Sequence, residues 1–148
     1  MKKIVLVLAT VFLLTSCSSD DTESKEVKLT YQNMAGRWII ESVLKADGTK
    51  VPYAAFCATK NDYFDFYSTR YMDARMHYNC EDTPGDAGGC SSFFLYEDTR
   101  MLENCTTMFD GKVVSLTKET MHIKYSQERY VGLTGLMGTE IFLRRIEK

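Results

Sequence analysis

The sequence KVVSLTKETMHIKY, residues 112–125, has the pattern of a β-hairpin and indicates the fold class of the chain. Two short runs rich in apolar and β-branched residues flank a polar stretch, as in two antiparallel strands joined by a short turn. A four-residue turn places Leu116 opposite Met121 and Val114 opposite Ile123. Directly opposed residues share one face of a sheet, so this hairpin has a continuous apolar side.

Similar short runs of β-forming residues lie on both sides of this hairpin, separated by frequent turn signals. Between two of them, residues 81–89 contain Pro84 and three glycines, which predict a loop. The predicted strands cover residues 37–44, 61–67, 70–78, 91–96, 99–105, 112–116, 121–125 and 139–146. Eight short strands with this spacing are typical of an antiparallel barrel or a sandwich.

The segment before the last predicted strand, VGLTGLMG at residues 131–138, is apolar yet rich in glycine. Glycines permit a mobile loop, whereas the leucine and methionine side chains need cover from water. The segment is therefore predicted to be a lid on the barrel mouth or a contact surface. A buried crossing is the alternative.

The N-terminus has the pattern of an export signal. Lys2 and Lys3 precede an apolar run over residues 4–14, which is too short to span a bilayer because spanning needs roughly 20 apolar residues. The last residue of the run begins the sequence Leu-Thr-Ser-Cys, residues 14–17. This sequence resembles the lipobox read by the lipoprotein signal peptidase. The resemblance implies that residues 1–16 are removed and that Cys17 receives the lipid.

The residues after Cys17 bear on where the product is held. Two or three acyl chains anchor a protein firmly, since each buried methylene contributes roughly 0.8 kcal/mol. Ser18 favours the outer membrane, because the lipoproteins that are retained at the inner membrane often begin with Cys-Asp. Residues 18–21, Ser-Ser-Asp-Asp, resemble the acidic tether of surface-exposed lipoproteins, and a solvated linker is the alternative. Residues 17–32 are predicted to be the lipidated cysteine and a flexible tether.

Charge and length limit the function further. Cleavage removes two of the 18 Lys and Arg residues and none of the 20 Asp and Glu residues, which changes the net charge from −2 to −4. Nucleic-acid binding needs clustered basic side chains, and the sequence has no such cluster. Residues 33–148 suffice for one domain and are too few for two.

Apart from Cys17, the chain has four cysteines, Cys57, Cys80, Cys90 and Cys105. An even number of cysteines in an exported chain implies two disulfides, with three possible pairings. A zinc site is the rival interpretation, but there is no C-x-x-C and the two histidines lie at no recognisable ligand spacing. We therefore predict disulfides and no metal site.

Two predicted hairpin turns favour one of the three possible disulfide pairings. A two-residue turn at Glu97-Asp98 places Cys90 opposite Cys105, and a turn in the preceding hairpin places Cys57 opposite Cys80. We therefore predict disulfides 57–80 and 90–105.

The hairpin that would carry Cys57 and Cys80 has an inconsistent register. A turn centred on residues 68–69 puts Phe64 opposite Asp73, which mixes an apolar and a charged residue on one face. A bulge or an odd-length turn would repair the pattern and would offset the two cysteines by one residue.

Gly36-x-Trp38, at the start of the first strand, resembles the G-x-W signature that opens lipocalin domains. In that family the Trp closes one end of the barrel and an Arg from near the last strand lies across it. Arg144 or Arg145 stands where such an Arg would be. The contact of a guanidinium with an indole is favourable by roughly 0.5–2 kcal/mol.

The domain as a whole, about residues 33–148, resembles the bacterial lipocalin-like lipoproteins. They share a lipobox, a polar tether, a G-x-W strand, a terminal strand, and a Cys shortly before an Asp-aromatic-Phe strand, here Cys57 and Asp62-Tyr63-Phe64. The resemblance implies an all-β fold, a small antiparallel up-and-down barrel of about eight strands.

A barrel of this size is either filled by side chains or just wide enough for one small ligand. Flexible methionines suit a pocket that adapts to its ligand. The candidate pocket residues are Phe64, Phe66, Met72, Met76, Phe94, Met101, Met121 and Ile123. The alternative is that the same side chains fill a core.

The sequence gives little indication of catalysis. Nucleophile motifs such as G-x-S-x-G are absent, and oxidised cysteines leave the histidines without a thiol partner. We predict no enzyme activity and no cofactor. The expected function is an outer-membrane-anchored lipoprotein that binds a small apolar ligand. The alternative is a surface interaction or adhesion module with a filled barrel.

Overall fold

The computed structural model describes residues 25–86, 91–104, 109–131 and 134–147. Cys17, Cys90 and Cys105 lie outside this range, as does the export signal. In the described range the regular secondary structure is nearly all strand: β1 Gly36–Leu44, β2 Lys50–Pro52, β3 Tyr63–Phe66, β4 Met72–Met76, β5 Gly85–Asp86, β6 Phe93–Tyr96, β7 Met101–Asn104, β8 Asp110–Leu116, β9 Thr120–Val131 and β10 Leu136–Ile146. Two short helices, α1 (Tyr31–Met34) and a 3-10 helix (Tyr78–Cys80), accompany them. No helix among the described residues is long and apolar enough to cross a membrane.

The strands form one antiparallel sheet in the order β5-β4-β3-β1-β10-β9-β8-β7-β6, with β2 paired to β1. The sheet curls so that β4 meets β6. There Tyr71 and Ser92 form a bridge, and the N–H of Phe93 donates to the carbonyl of Arg70 (3.0 Å). Apart from the short β2 and β5, each strand thus neighbours the strands before and after it. The prediction of a small up-and-down barrel of eight strands is confirmed.

The register of the β8–β9 hairpin agrees with the prediction at its turn and departs from it further on. Leu116 pairs with Met121 as predicted, but Val113, rather than Val114, pairs with Ile123. A bulge at this position adds one residue to β8, which turns the Val114 side chain to the outer face, where it is 42% exposed.

The β3–β4 hairpin has the odd-length turn that repairs its pattern. Five residues, 67–71, connect the strands, with Arg70 at φ +65°. Phe64 therefore pairs with Ala74, and the predicted pairing of Phe64 with Asp73 is wrong. The apolar residues of both strands consequently face the barrel interior.

The β6–β7 hairpin also differs from the prediction. Tyr96 pairs with Met101, so the turn contains four residues rather than two, with Arg100 at φ +61°. The register that placed Cys90 opposite Cys105 is therefore wrong. The disulfide between these two cysteines lies outside the described residues and stays a prediction.

In the glycine-rich segment, residues 131 and 136–138 are strand and residues 134–135 form a turn, while residues 132–133 lie outside the described residues. Val131 ends β9, and Leu136 begins β10 opposite it. Gly138 lies so close to β1 that a Cβ atom would clash with the Val43 side chain. The described part of the segment is therefore the end of a hairpin packed on β1, and the lid stays a prediction for the tip, residues 132–133.

One end of the barrel is closed by the chain that precedes β1. The N–H of Val27 donates to the carbonyl of Leu116 (2.9 Å), and the side chains of Leu29 and Met34 are buried in the core. The prediction that residues 17–32 form a flexible tether is therefore wrong from Val27 onward. Burial of Leu29 and Met34 explains why this polar stretch is ordered.

Trp38 is at the centre of this closed end. Its indole is completely buried, and Nε1 donates to the carbonyl of Met34 (2.8 Å). The guanidinium carbon of Arg145 lies 4.3 Å from the centre of the indole ring. The same guanidinium donates to the carbonyls of Ala35 and Asn33, the latter at 2.6 Å, so Arg145 joins the last strand to the closing segment.

Gly36 is required by the same contact. It has φ +142°, and a Cβ atom would lie 2.7 Å from Nη1 of Arg145. Of the two candidate arginines, Arg145 is therefore the one that covers Trp38. Arg144 points outward and pairs with Glu41 at 3.0 Å.

Candidate ligand-binding groove

Most of the residues predicted to line an interior pocket are buried in the structure. Alternation along β3, β4 and β9 turns them inward. They are Phe64, Phe66, Met72, Met76, Met121 and Ile123.

Aromatic rings fill the barrel at the level of Phe66. Its ring centre lies 5.1 Å from that of Phe93 and 5.5 Å from that of Phe109. Phe64 packs edge-on against Phe109 at 4.8 Å. These distances are those of packed aromatic pairs, so the described side chains here form core contacts with one another.

Phe94 and Met101 are not interior residues, and their prediction as pocket residues is wrong. Phe93 and Leu95 take the inward positions of β6, so Phe94 lies on the outer face and is 48% exposed. Met101 is half-buried on β7, where Leu102 points inward. A run of aromatic residues carries no alternation, so the sequence did not reveal which of them point inward.

A cavity of about 250 Å³ lies beside the start of β3. β3 ends at Phe66, which pairs with Gly36, so the cavity is at the end of β3 away from the closed end. Its walls include Ile40, Tyr53, Ala55, Ala58, Lys60 and Asp62. We call this cavity the β3 groove.

The wall of the β3 groove is fixed by the disulfide Cys57–Cys80, whose Cα atoms are 5.0 Å apart. The predicted pairing of these two cysteines is confirmed, although they lie beyond the strands and are not a cross-strand pair. Lys60 reinforces the contact, since Nζ donates to the carbonyls of Cys80 (3.0 Å) and Glu81 (2.9 Å) and to Oδ1 of Asp82 (2.7 Å).

Tyr53 and Asp62 supply the polar atoms of the groove. The backbone N–H of Tyr53 donates to the carbonyl of Glu41 (3.1 Å), which fixes Tyr53 beside β1. Asp62 directly precedes β3, and His77 directly follows β4, so the β3–β4 ladder brings these two residues together.

The carboxylate of Asp62 is 3% exposed and accepts two hydrogen bonds. The Tyr53 hydroxyl donates to Oδ2 (3.0 Å), and the backbone N–H of His77 donates to Oδ1 (3.2 Å). Burial, together with the neighbouring Asp62, raises the pKa of Tyr53, so the phenol keeps its proton and remains a donor at neutral pH.

The sequence did not single out Asp62 or Tyr53 as site residues. Asp62 entered only through its Asp-aromatic-Phe motif, and Tyr53 lies in an irregular stretch before Cys57. The available signal was their position on either side of a cysteine predicted to be in a disulfide. Such a bridge fixes a loop, and fixed loops at the end of a barrel carry binding residues.

A second surface feature lies on the outer face of the seam between β4 and β6. Tyr71, Phe94 and Tyr96 are each about half exposed there. Phe94 and Tyr96 share one face of β6, and Tyr71 pairs with Ser92 on the same side. We call these three residues the β6 aromatic patch.

No protein-family model, no curated protein and no solved structure matches this chain.

Proposed function

We propose that this chain is a lipid-anchored protein of the outer membrane whose barrel binds a small ligand in the β3 groove. The observation that carries the proposal is the cavity itself, which contains a buried carboxylate and a phenol behind a wall held by Cys57–Cys80. Concave sites with a few convergent polar groups are the usual form of small-molecule sites.

The proposal keeps the small ligand expected from the sequence and moves its site. Phe64 and Phe66, two of the predicted interior residues, pack against Phe93 and Phe109, whereas the groove has open volume. Its volume of about 250 Å³ is below the roughly 300–1,000 Å³ of pockets for drug-sized ligands. We therefore infer a ligand smaller than a typical lipocalin ligand.

The position of the anchor supports this arrangement. Val27, which is hydrogen-bonded to the closed end of the barrel, is the tenth residue after Cys17. A fully extended chain of that length spans about 35 Å, so a lipid on Cys17 would hold the closed end near the membrane. The β3 groove would then face away from the bilayer and stay accessible.

Replacing Cys17 with alanine tests the anchor. We expect Cys17→Ala to lose all incorporation of a fatty-acid analogue, because no other thiol lies at the cleavage site. Ser18→Ala is the control and should incorporate the label as the wild type does. Metabolic labelling followed by gel analysis measures both. Labelled Cys17→Ala protein would contradict the lipoprotein assignment.

The alternative is a surface interaction module, and the β6 aromatic patch favours it. Tyr and Phe are enriched at the centres of protein interfaces, and these three side chains are exposed on one outer face. In this alternative the barrel acts only as a scaffold. A Phe94→Ser variant would then abolish partner binding while groove variants leave it unchanged.

Native mass spectrometry of the full chain, purified from its own host, tests the proposed function. We expect a co-purifying mass of a few hundred daltons at most, because the groove is small. Ala55→Phe fills the groove and should remove that mass, whereas Phe94→Ser should retain it. Equal adduct masses in wild type and Ala55→Phe would rule out the β3 groove as the binding site.

A further inference from the structure

Two buried aspartates near the start of β3 differ in their partners. Asp65 is 5% exposed, and its two oxygens accept from Nε (3.0 Å) and Nη2 (2.7 Å) of Arg37. Asp62 is buried still further, yet no Lys, Arg or His among the described residues forms an ion pair with it. A buried carboxylate is costly unless a cation or several hydrogen bonds compensate it.

The donors that Asp62 does have are neutral and few. The Tyr53 hydroxyl and the His77 N–H use one acceptor position on each oxygen, while an ionised carboxylate offers about four. Lys60 lines the same groove, but its three ammonium protons are matched by the three oxygens around Cys80 and Asp82. Asp62 therefore retains capacity for a further donor.

The rest of the groove suits a short hydrocarbon chain. Four of its lining residues are apolar and aliphatic, namely Ile40, Ala54, Ala55 and Ala58. An apolar chain buried there gains roughly 0.8 kcal/mol per methylene. A ligand with one cationic end and a short alkyl stem would thus match both parts of the groove.

We propose that the ligand of the β3 groove carries a primary ammonium group that pairs with Asp62, with its alkyl stem against the alanines. The proposal rests on the proposed function, since it names the chemical class of the ligand at that site. The ammonium supplies the cation that Asp62 lacks, and its remaining protons are available to water at the groove opening.

Calorimetric titration of the full chain in a non-ionic detergent tests the proposal with three probes of equal length. These are n-butylammonium, n-butanol and n-butyrate at neutral pH. A charge-assisted hydrogen bond contributes about 1.5–3 kcal/mol, so n-butylammonium should bind at least roughly tenfold more tightly than n-butanol. Butyrate should bind most weakly, because its carboxylate would meet that of Asp62.

Three variants test whether the preference for n-butylammonium depends on the carboxylate of Asp62. Asp62→Asn keeps the shape and removes the charge, so the preference for n-butylammonium over n-butanol should fall to about one. Glu103→Gln removes one charge at an exposed position of β7 and should leave the preference unchanged. Tyr53→Phe removes a competing neutral donor, so the preference should be retained or increased.

The outcomes separate this inference from the proposed function. If n-butanol or butyrate binds as tightly as n-butylammonium and Ala55→Phe blocks both, the groove binds ligands but the ammonium assignment is wrong. If none of the three probes binds, the proposed function itself is contradicted. A preference that persists in Asp62→Asn, or that is lost in Tyr53→Phe, would overturn the role of Asp62.

Discussion

Replacing Trp38 with alanine should lower the free energy of unfolding by about 3–5 kcal/mol, the usual cost of removing a large buried aromatic side chain. The indole is completely buried, packs under Arg145 and donates to the carbonyl of Met34. Removing the indole leaves a cavity at the closed end. Arg145 loses its cation–π contact, and the Met34 carbonyl loses its hydrogen bond. Urea unfolding followed by circular dichroism measures the change.

Arg145→Met is the matched variant on the other side of the contact. It retains the apolar stem over Trp38 but loses the cation–π contact and the hydrogen bonds to Ala35 and Asn33. We expect a cost of about 2 kcal/mol, larger than the cation–π contribution alone and smaller than that of Trp38→Ala. Arg144→Met, which removes only an exposed pair with Glu41, should cost less than about 0.5 kcal/mol.

Fluorescence checks the same contact without mutation, since Trp38 is the one Trp in the chain. The native protein should show a blue-shifted emission that acrylamide quenches poorly, because the indole is fully buried. A red-shifted and easily quenched emission, or a cost of Trp38→Ala below about 1 kcal/mol, would contradict the described closed end.

Removing the disulfide with the double variant Cys57→Ser and Cys80→Ser should cost about 3 kcal/mol. The two cysteines are 23 residues apart, and the bridge limits the conformations that this loop adopts in the unfolded chain. The β3 groove should also lose its ligand, because Cys57 and Ala58 belong to its wall. Chemical denaturation and the calorimetric titration measure the two effects separately.

Peptide mapping without reduction provides the covalent check. It should recover a peptide pair joined through Cys57 and Cys80, and it also tests the predicted 90–105 bridge. A bridge from Cys57 to Cys105 would contradict the β3 groove as described. Stability unchanged in the double variant would contradict the role of the bridge in fixing the loop.

The features that follow from local patterning could be predicted from the sequence. Alternation of apolar residues predicted the fold class, and the polar turn predicted the pairing of Leu116 with Met121. The Cys57–Cys80 bridge is as predicted, although the turn from which it was predicted has a different length. The family resemblance predicted an arginine, Arg144 or Arg145, over Trp38. In the structure this arginine is Arg145.

Register beyond the turns was less predictable, because it depends on backbone conformations that leave no clear sequence signal. Arg70 and Arg100 both adopt a positive φ in turns, where glycine or asparagine is the usual indicator. The bulge at Val114 lies within a run of apolar residues and changes which of them faces the core. Each of these shifts the pairing of a whole strand by one or two residues.

The groove could not be predicted because its residues come from separate parts of the chain. Tyr53 follows β2 and Asp62 precedes β3, and the two become neighbours only when both strands pair with β1. Likewise, the order of residues 27–32 depends on burying Leu29 under a barrel end that the tether composition does not reveal. Such tertiary contacts override local composition.

NMR can locate bound probes and so test whether the ligand site is the β3 groove. Amide spectra of the full chain would be recorded during titration with n-butylammonium and, separately, with n-butanol. We expect shifts at the amides of Ala55, Asn61 and His77 around the β3 groove, with the Trp38 indole signal unchanged. Shifts that instead centre on Phe66, Phe93 and Met121 would place the ligand inside the barrel and would contradict the proposed site.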